Sequence, residues 1–114
     1  MWLSLSDSFL SIVALEGPAA DPARLLVRAR VAGDIERVFP AATVTHTPKH
    51  DYAYRSTLPR TVVATALAAA VEAINYTNFK NSVSDRARHD AYFECWDAMY
   101  DLQVRKAGRR IPRR

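Results

Sequence analysis

Between His46 and Asp51 the chain reads "HTPKHD", placing two imidazoles and a carboxylate within six residues. These are the donors a divalent metal takes. Two histidines four apart come close enough on one face to share an ion only on a helix, and Pro48 lacks the N–H and forces the φ that make a helix improbable there. The stretch therefore predicts a polar connection, with no metal and no cofactor. Cys95 stands alone among aromatic residues of a helical segment, without a glycine-rich turn or a helix N-terminus to activate its thiol, and is expected to be buried and inert. His89 lies on the same segment and is expected at the core or its boundary. No glycine-rich phosphate loop, nucleophile elbow or Cys-x-x-Cys occurs. No catalytic residue is assigned, and the chain is expected not to be an enzyme.

Binding residues are better supplied. In "RHDAYFECWDAMYDLQ", at 100° per residue, His89, Tyr92, Phe93, Trp96, Met99, Tyr100 and Gln103 fall on one helical stripe about 120° wide. Such a stripe serves either as the core side of a helix packed on a sheet or as a partner-binding face; the core is the first expectation. The other side carries Asp90, Glu94, Asp97 and Asp101 at i, i+3/i+4 spacing. This ridge is expected to be solvated, and it is a candidate partner-binding surface because carboxylates in a row can imitate a phosphate backbone. Arg28, Arg30 and Arg55 are the second candidate set. They are expected on the open face of a sheet, with Tyr52 and Tyr54 sharing the face opposite Arg55, an arrangement that suits single-stranded nucleic acid or a protein partner.

Charge is unevenly placed. Lys and Arg total 16 and Asp and Glu 12, for a formal net charge of +4. Six of the basic residues, Arg105, Lys106, Arg109, Arg110, Arg113 and Arg114, close the chain, while every acidic residue precedes position 105. Residues 1–104 therefore hold ten basic and twelve acidic side chains, a net of −2. A basic tail on a mildly acidic body is one layout for gripping phosphates, and the tail is the alternative nucleic-acid-binding candidate.

The elements that must position these residues follow from periodicity. "WLSLSD" and "FLSIVAL" alternate as two strands around a short "SDS" turn, and Gly17-Pro18 with Asp21-Pro22 marks a loop. "ARLLVRARVA" is a third strand, with Leu25, Val27, Ala29 and Val31 on one face and Leu26, Arg28 and Arg30 on the other. Asp34 is expected to cap a short helix, "IERVF", stopped by Pro40. "ATVTHT" and "YAYRSTL" are a fourth and a fifth strand. After Pro59 the period changes to that of a helix, with Val63, Leu67, Ala70, Val71 and Ile74 in one stripe. "NYTNFKNSVS" forms a corner, and a long helix runs from Ser84-Asp85 to about Arg105.

The order β-β-β-α-β-β-α-α predicts an α+β domain over residues 1–104, an antiparallel sheet of about five strands with helices packed on one face, and a flexible basic tail over 105–114. The length supports a core without disulfides, and one cysteine suits a reducing cytoplasm. The N-terminal "MWLSLSDSFLSIVAL" lacks a basic start and a small-residue cleavage site, so no signal peptide is expected, and no apolar run reaches membrane-spanning length.

The stretches "MWLS", "FLSIV", "LLVRAR", "DYAYR", "INYTNFK" and "HDAYFECWDAMYDLQ" together resemble small proteins of phages, prophages and bacterial genomes. The resemblance extends to Gln103 and carries no catalytic motif. It implies a protein that binds and blocks a host complex, of the kind to which anti-CRISPR proteins belong. The expectation is a cytoplasmic, non-enzymatic inhibitor of a host protein or ribonucleoprotein, acting in the bacterial host without a membrane and with a homodimer left open. Nucleic-acid binding through the tail and the sheet arginines is the alternative.

Overall fold

Alternating apolar residues build the sheet. The computed structural model describes residues 1–18 and 20–108. Its strands are β1 (Trp2–Ser4), β2 (Phe9–Ala14), β3 (Arg24–Ala29), β4 (Thr45–His46) and β5 (Tyr54–Pro59). They form one antiparallel sheet in the order β1-β2-β3-β5-β4. The helices are α1 (Asp34–Val38), α2 (Arg60–Glu72) and α3 (Arg86–Lys106), with a 3-10 turn at Lys80–Ser82. The protein is α+β, as the periodicity predicts. It forms two compact units, Met1–Asn75 and the residues from Tyr76 onward.

In the first unit the register sets which side chains meet. Ile12 lies opposite Val27, which lies opposite Ser56. These side chains share a face with Leu10 and Ala29, and the core closes over them with Ile35 and Phe39 at α1 and Val63 of α2. Each large aliphatic side chain taken fully out of water contributes about 1.5–3 kcal/mol. Leu25, Val27 and Ala29 face this core as the alternation predicts. Val31 does not: the strand ends at Ala29, and Val31 is exposed.

Three local expectations are corrected. Asp34 is the first residue of α1, not its cap. Gly33 holds the cap position at φ 90°, a left-handed conformation that favours glycine. Asp34 is fully buried instead, where its Oδ2 accepts the Phe9 N–H at 3.0 Å and its Oδ1 pairs with Arg37. Arg37 Nε also donates to the Asp7 carbonyl at 2.9 Å, so α1 is fastened to the β1–β2 turn by these two side chains, which pair with each other. Second, the buried side of α2 is Val63, Ala66, Leu67 and Ala70, whereas Val71, at the edge of that stripe, and Ile74, beyond the end of the helix at Glu72, are exposed. Third, β5 begins at Tyr54, so Tyr52 is outside the alternation. Tyr54 packs against the core and stacks on His46 with ring centroids 4.7 Å apart, while Tyr52 joins the arginines.

Candidate functional site

The helix α3 starts where Asp85 caps it, its Oδ2 accepting the Arg88 N–H at 2.9 Å, and Arg105 and Lys106 in the last turn suit the negative end of the dipole. Of its 21 residues only Tyr92 and Val104 are buried. Tyr92 stacks on Phe79 at 5.6 Å, Phe79 meets Tyr76 at 5.5 Å, and the corner is tied locally by the Ser82 hydroxyl donating to the Phe79 carbonyl at 2.6 Å. The asparagine-rich corner thus buries one aromatic of the stripe.

The rest of the stripe faces outward. Phe93 is 44% exposed, Trp96 49%, Met99 63% and Tyr100 39%. The expectation of a core face is overturned for these residues. Phe93 stacks on Trp96 at 6.0 Å, and Trp96 on Tyr100 at 5.5 Å with ring planes only 3° apart, so the three rings form a nearly parallel ladder along the helix. Lys80 Nζ sits 5.2 Å from the Trp96 ring centre. Met99, Leu102 and Gln103 extend the surface around a shallow depression of about 370 Å³. Cys95 is exposed rather than buried, since it too lies on the outer side of the helix.

The four carboxylates do not behave as one solvated ridge. Asp90 and Glu94 are exposed, and His89 Nδ1 lies 3.6 Å from Asp90 Oδ1. Asp97 and Asp101 are half-buried and engaged in contacts of their own. A second depression, lined by Phe93, Glu94, Asp97, Ala98 and Asp101, lies beside the aromatic ladder. The exposed surface of α3 therefore includes an aromatic band with two exposed carboxylates, Asp90 and Glu94, at its margin.

The sheet arginines are committed to structure. Arg28 and Arg55 lie directly opposite each other in neighbouring strands. Arg28 donates to the Ser11 hydroxyl at 2.8 Å and lies 4.5 Å from the centre of the Tyr52 ring. Arg30 lies 4.1 Å from the same ring and donates to the Asp51 carbonyl at 2.8 Å. Arg55 is 3.6 Å from the Asp51 carboxylate. Tyr52, 4% exposed, is thus gripped by two guanidinium groups. Of the tail candidates, Arg105 and Lys106 are exposed at the end of α3, while Arg109, Arg110, Arg113 and Arg114 lie outside the described residues.

Neither a family model, nor a curated protein, nor a solved structure matches the chain. Function must be read from the surface itself. Among the described residues no three His, Cys, Asp or Glu side chains converge to hold a metal ion, and no helix is long and apolar enough to cross a membrane. His46, singled out for its spacing with His50 and Asp51, is occupied in its stack on Tyr54.

The outward turn of the ladder is what sequence reasoning missed. One signal for it was present in the corner: Tyr76 and Phe79 supply a private partner for Tyr92, which leaves the later aromatics of the stripe without a claim on that cluster.

Proposed function

We propose that the protein is a non-enzymatic binding protein whose contact surface is the aromatic band Phe93–Trp96–Met99–Tyr100 of α3. The single observation that carries this reading is the exposure of four large apolar side chains on consecutive turns of one helix. Soluble surfaces scatter such residues singly, and a contiguous patch on the order of 300–600 Å² is the usual size of a functional one. Trp and Tyr are also the residues that dominate interface energetics, because they remove much area from water at little rotamer cost. A protein surface, free or within a ribonucleoprotein, suits the band better than free nucleic acid. Asp90 and Glu94 at its margin repel phosphates, and the sheet arginines are held by Tyr52, Ser11 and Asp51. The partner class that fits the phage-protein resemblance is a host defence complex in the bacterial cytoplasm, which the protein would block by occupying a contact surface, as anti-CRISPR proteins do.

The test pairs a plaque assay with a direct binding measurement. Bacteria carrying a defined defence complex, and its purified form, are challenged with the full chain and with Trp96→Ala and Trp96→Ala/Tyr100→Ala. Protection of the phage by the full chain is expected, with roughly thirty-fold or greater loss of affinity in the variants, the size typical of a buried Trp anchor. Equal activity of the double variant, with its fold intact by circular dichroism, would remove α3 as the contact surface.

A further inference from the structure

The edge of the aromatic band indicates the chemistry of what covers it. At 3.6 residues per turn, Asp90 and Glu94 lie about 60° and 100° round α3 from Phe93, on the side away from the buried Tyr92. Both carboxylates are exposed. Among the described residues Glu94 pairs with no cation, and Asp90 has only the His89 imidazole at 3.6 Å. Phe93 and Glu94 line the same depression, of about 410 Å³, and no basic side chain lines it. Its other carboxylates, Asp97 and Asp101, are half-buried and engaged in contacts of their own. The rings of the band accept a cation already, since Lys80 Nζ lies 5.2 Å from the centre of Trp96.

Exposed aromatic rings beside carboxylates without a full counter-charge suit a cation that is planar as well as charged. Arginine is that side chain. Its guanidinium lies over an aromatic face while its N–H groups donate as a fork to a carboxylate, which the compact, strongly hydrated ammonium of lysine does not reproduce. The first unit holds the same arrangement internally. The Arg28 and Arg30 guanidinium groups lie 4.5 and 4.1 Å from the Tyr52 ring centre while donating to the Ser11 hydroxyl and the Asp51 carbonyl. We infer that, with the band of α3 as the contact surface, its partner is a protein surface that presents arginine. One guanidinium stacks on Phe93 and pairs with Glu94 or Asp90, and apolar side chains of the partner cover Trp96 and Met99. A surface of that composition is one that otherwise holds phosphates, so occupying it would compete with nucleic acid without binding nucleic acid.

Calorimetric titration of the full chain with a short amphipathic helical peptide bearing leucines and arginines tests the chemistry. The controls are the same peptide with citrulline or with glutamate in place of arginine. Citrulline keeps the planar hydrogen-bonding group and removes only the charge. The arginine peptide is expected to bind, the citrulline peptide roughly tenfold more weakly, and the glutamate peptide more weakly still. Asp90→Asn/Glu94→Gln should weaken the arginine peptide by a similar factor and leave the citrulline peptide unchanged, with the fold intact by circular dichroism because both sites are exposed. If the arginine and citrulline peptides bind alike, or the carboxylate variant binds like the native chain, the arginine assignment is overturned. Loss of binding in Trp96→Ala would in that case keep the band as the contact surface, and normal binding by Trp96→Ala would remove the band as well. Failure of the arginine peptide to bind overturns the assignment. So does self-association of the native chain, or its capture of a short single-stranded RNA, where Trp96→Ala abolishes it, because a second copy or a nucleic acid is then the occupant.

Discussion

Replacing Asp34 tests whether a single buried carboxylate fastens α1 to the sheet. The carboxylate is fully buried, accepts the Phe9 N–H at 3.0 Å and pairs with Arg37, whose own side chain remains 41% exposed. Asp34→Ala removes the acceptor of a buried backbone donor, which costs about 1–3 kcal/mol. It also separates the Arg37 guanidinium from its charge partner, adding about 1 kcal/mol because that group can turn to water. The total, about 3 kcal/mol, is a large share of the 5–15 kcal/mol a domain of this size commands. At about 4 °C per kcal/mol it corresponds to a fall of roughly 12 °C in melting temperature. Asp34→Asn keeps an oxygen for Phe9 and should lose only about 1–2 kcal/mol. Urea unfolding followed by circular dichroism measures all three proteins. A loss below about 1 kcal/mol for Asp34→Ala would refute the reasoning, because it would mean that Phe9 and Arg37 find equivalent partners at no cost.

Two further outcomes follow from the arginine face and the tail. Tyr52→Ala empties the space between Arg28 and Arg30 and should destabilise by about 3 kcal/mol, whereas Tyr52→Phe keeps the stacked ring and should cost less than about 1 kcal/mol, both read from urea midpoints. In fluorescence anisotropy with short DNA and RNA, the full chain and a chain ending at Gly108 should both leave the nucleic acid unbound at physiological salt. If only the full chain binds, with a log–log salt slope near −4 for the four cations removed (about −0.9 per phosphate), function moves to the tail.

The period-2 alternation reads β2, β3 and β5 but not every boundary: Val31 lies beyond β3, and the expected fourth strand shortens to Thr45–His46. Leu25, Val27 and Ala29 face the core because a buried face admits only one register, and a one-residue slip would send Arg28 into it. The second helix was legible as a helix, but its stripe was read one edge too wide: Val71 and Ile74 are apolar and correctly spaced yet exposed, since apolar character alone does not say which neighbour is present. Asp34 departs from the expected cap because a carboxylate before a helix usually caps it, and only the tertiary structure brings Phe9, 25 residues away, to its oxygen. The aromatic stripe of α3 is legible as a set of residues, but of its two expected roles the core is excluded for Phe93, Trp96, Met99 and Tyr100. The stripe of α3 and its carboxylates divide the helix evenly, and periodicity cannot decide which half turns inward when both contain groups able to make buried contacts. Tyr92 went in and Trp96 stayed out. For Tyr52, a strand that starts two residues later than its β-propensity suggests was enough to move an aromatic from one face to the other.

The strand order has a consequence for how this molecule can associate. The outermost strands, β1 and β4, contain three and two residues. An edge that short offers at most one or two donor–acceptor pairs to an incoming strand, too few to offset the entropy of ordering it, and this is a recognised way of preventing sheets from growing end on end. The long ladders are interior, shared among β2, β3 and β5. Short edges therefore disfavour growth of the sheet by strand addition, whether from a second chain or an extended peptide.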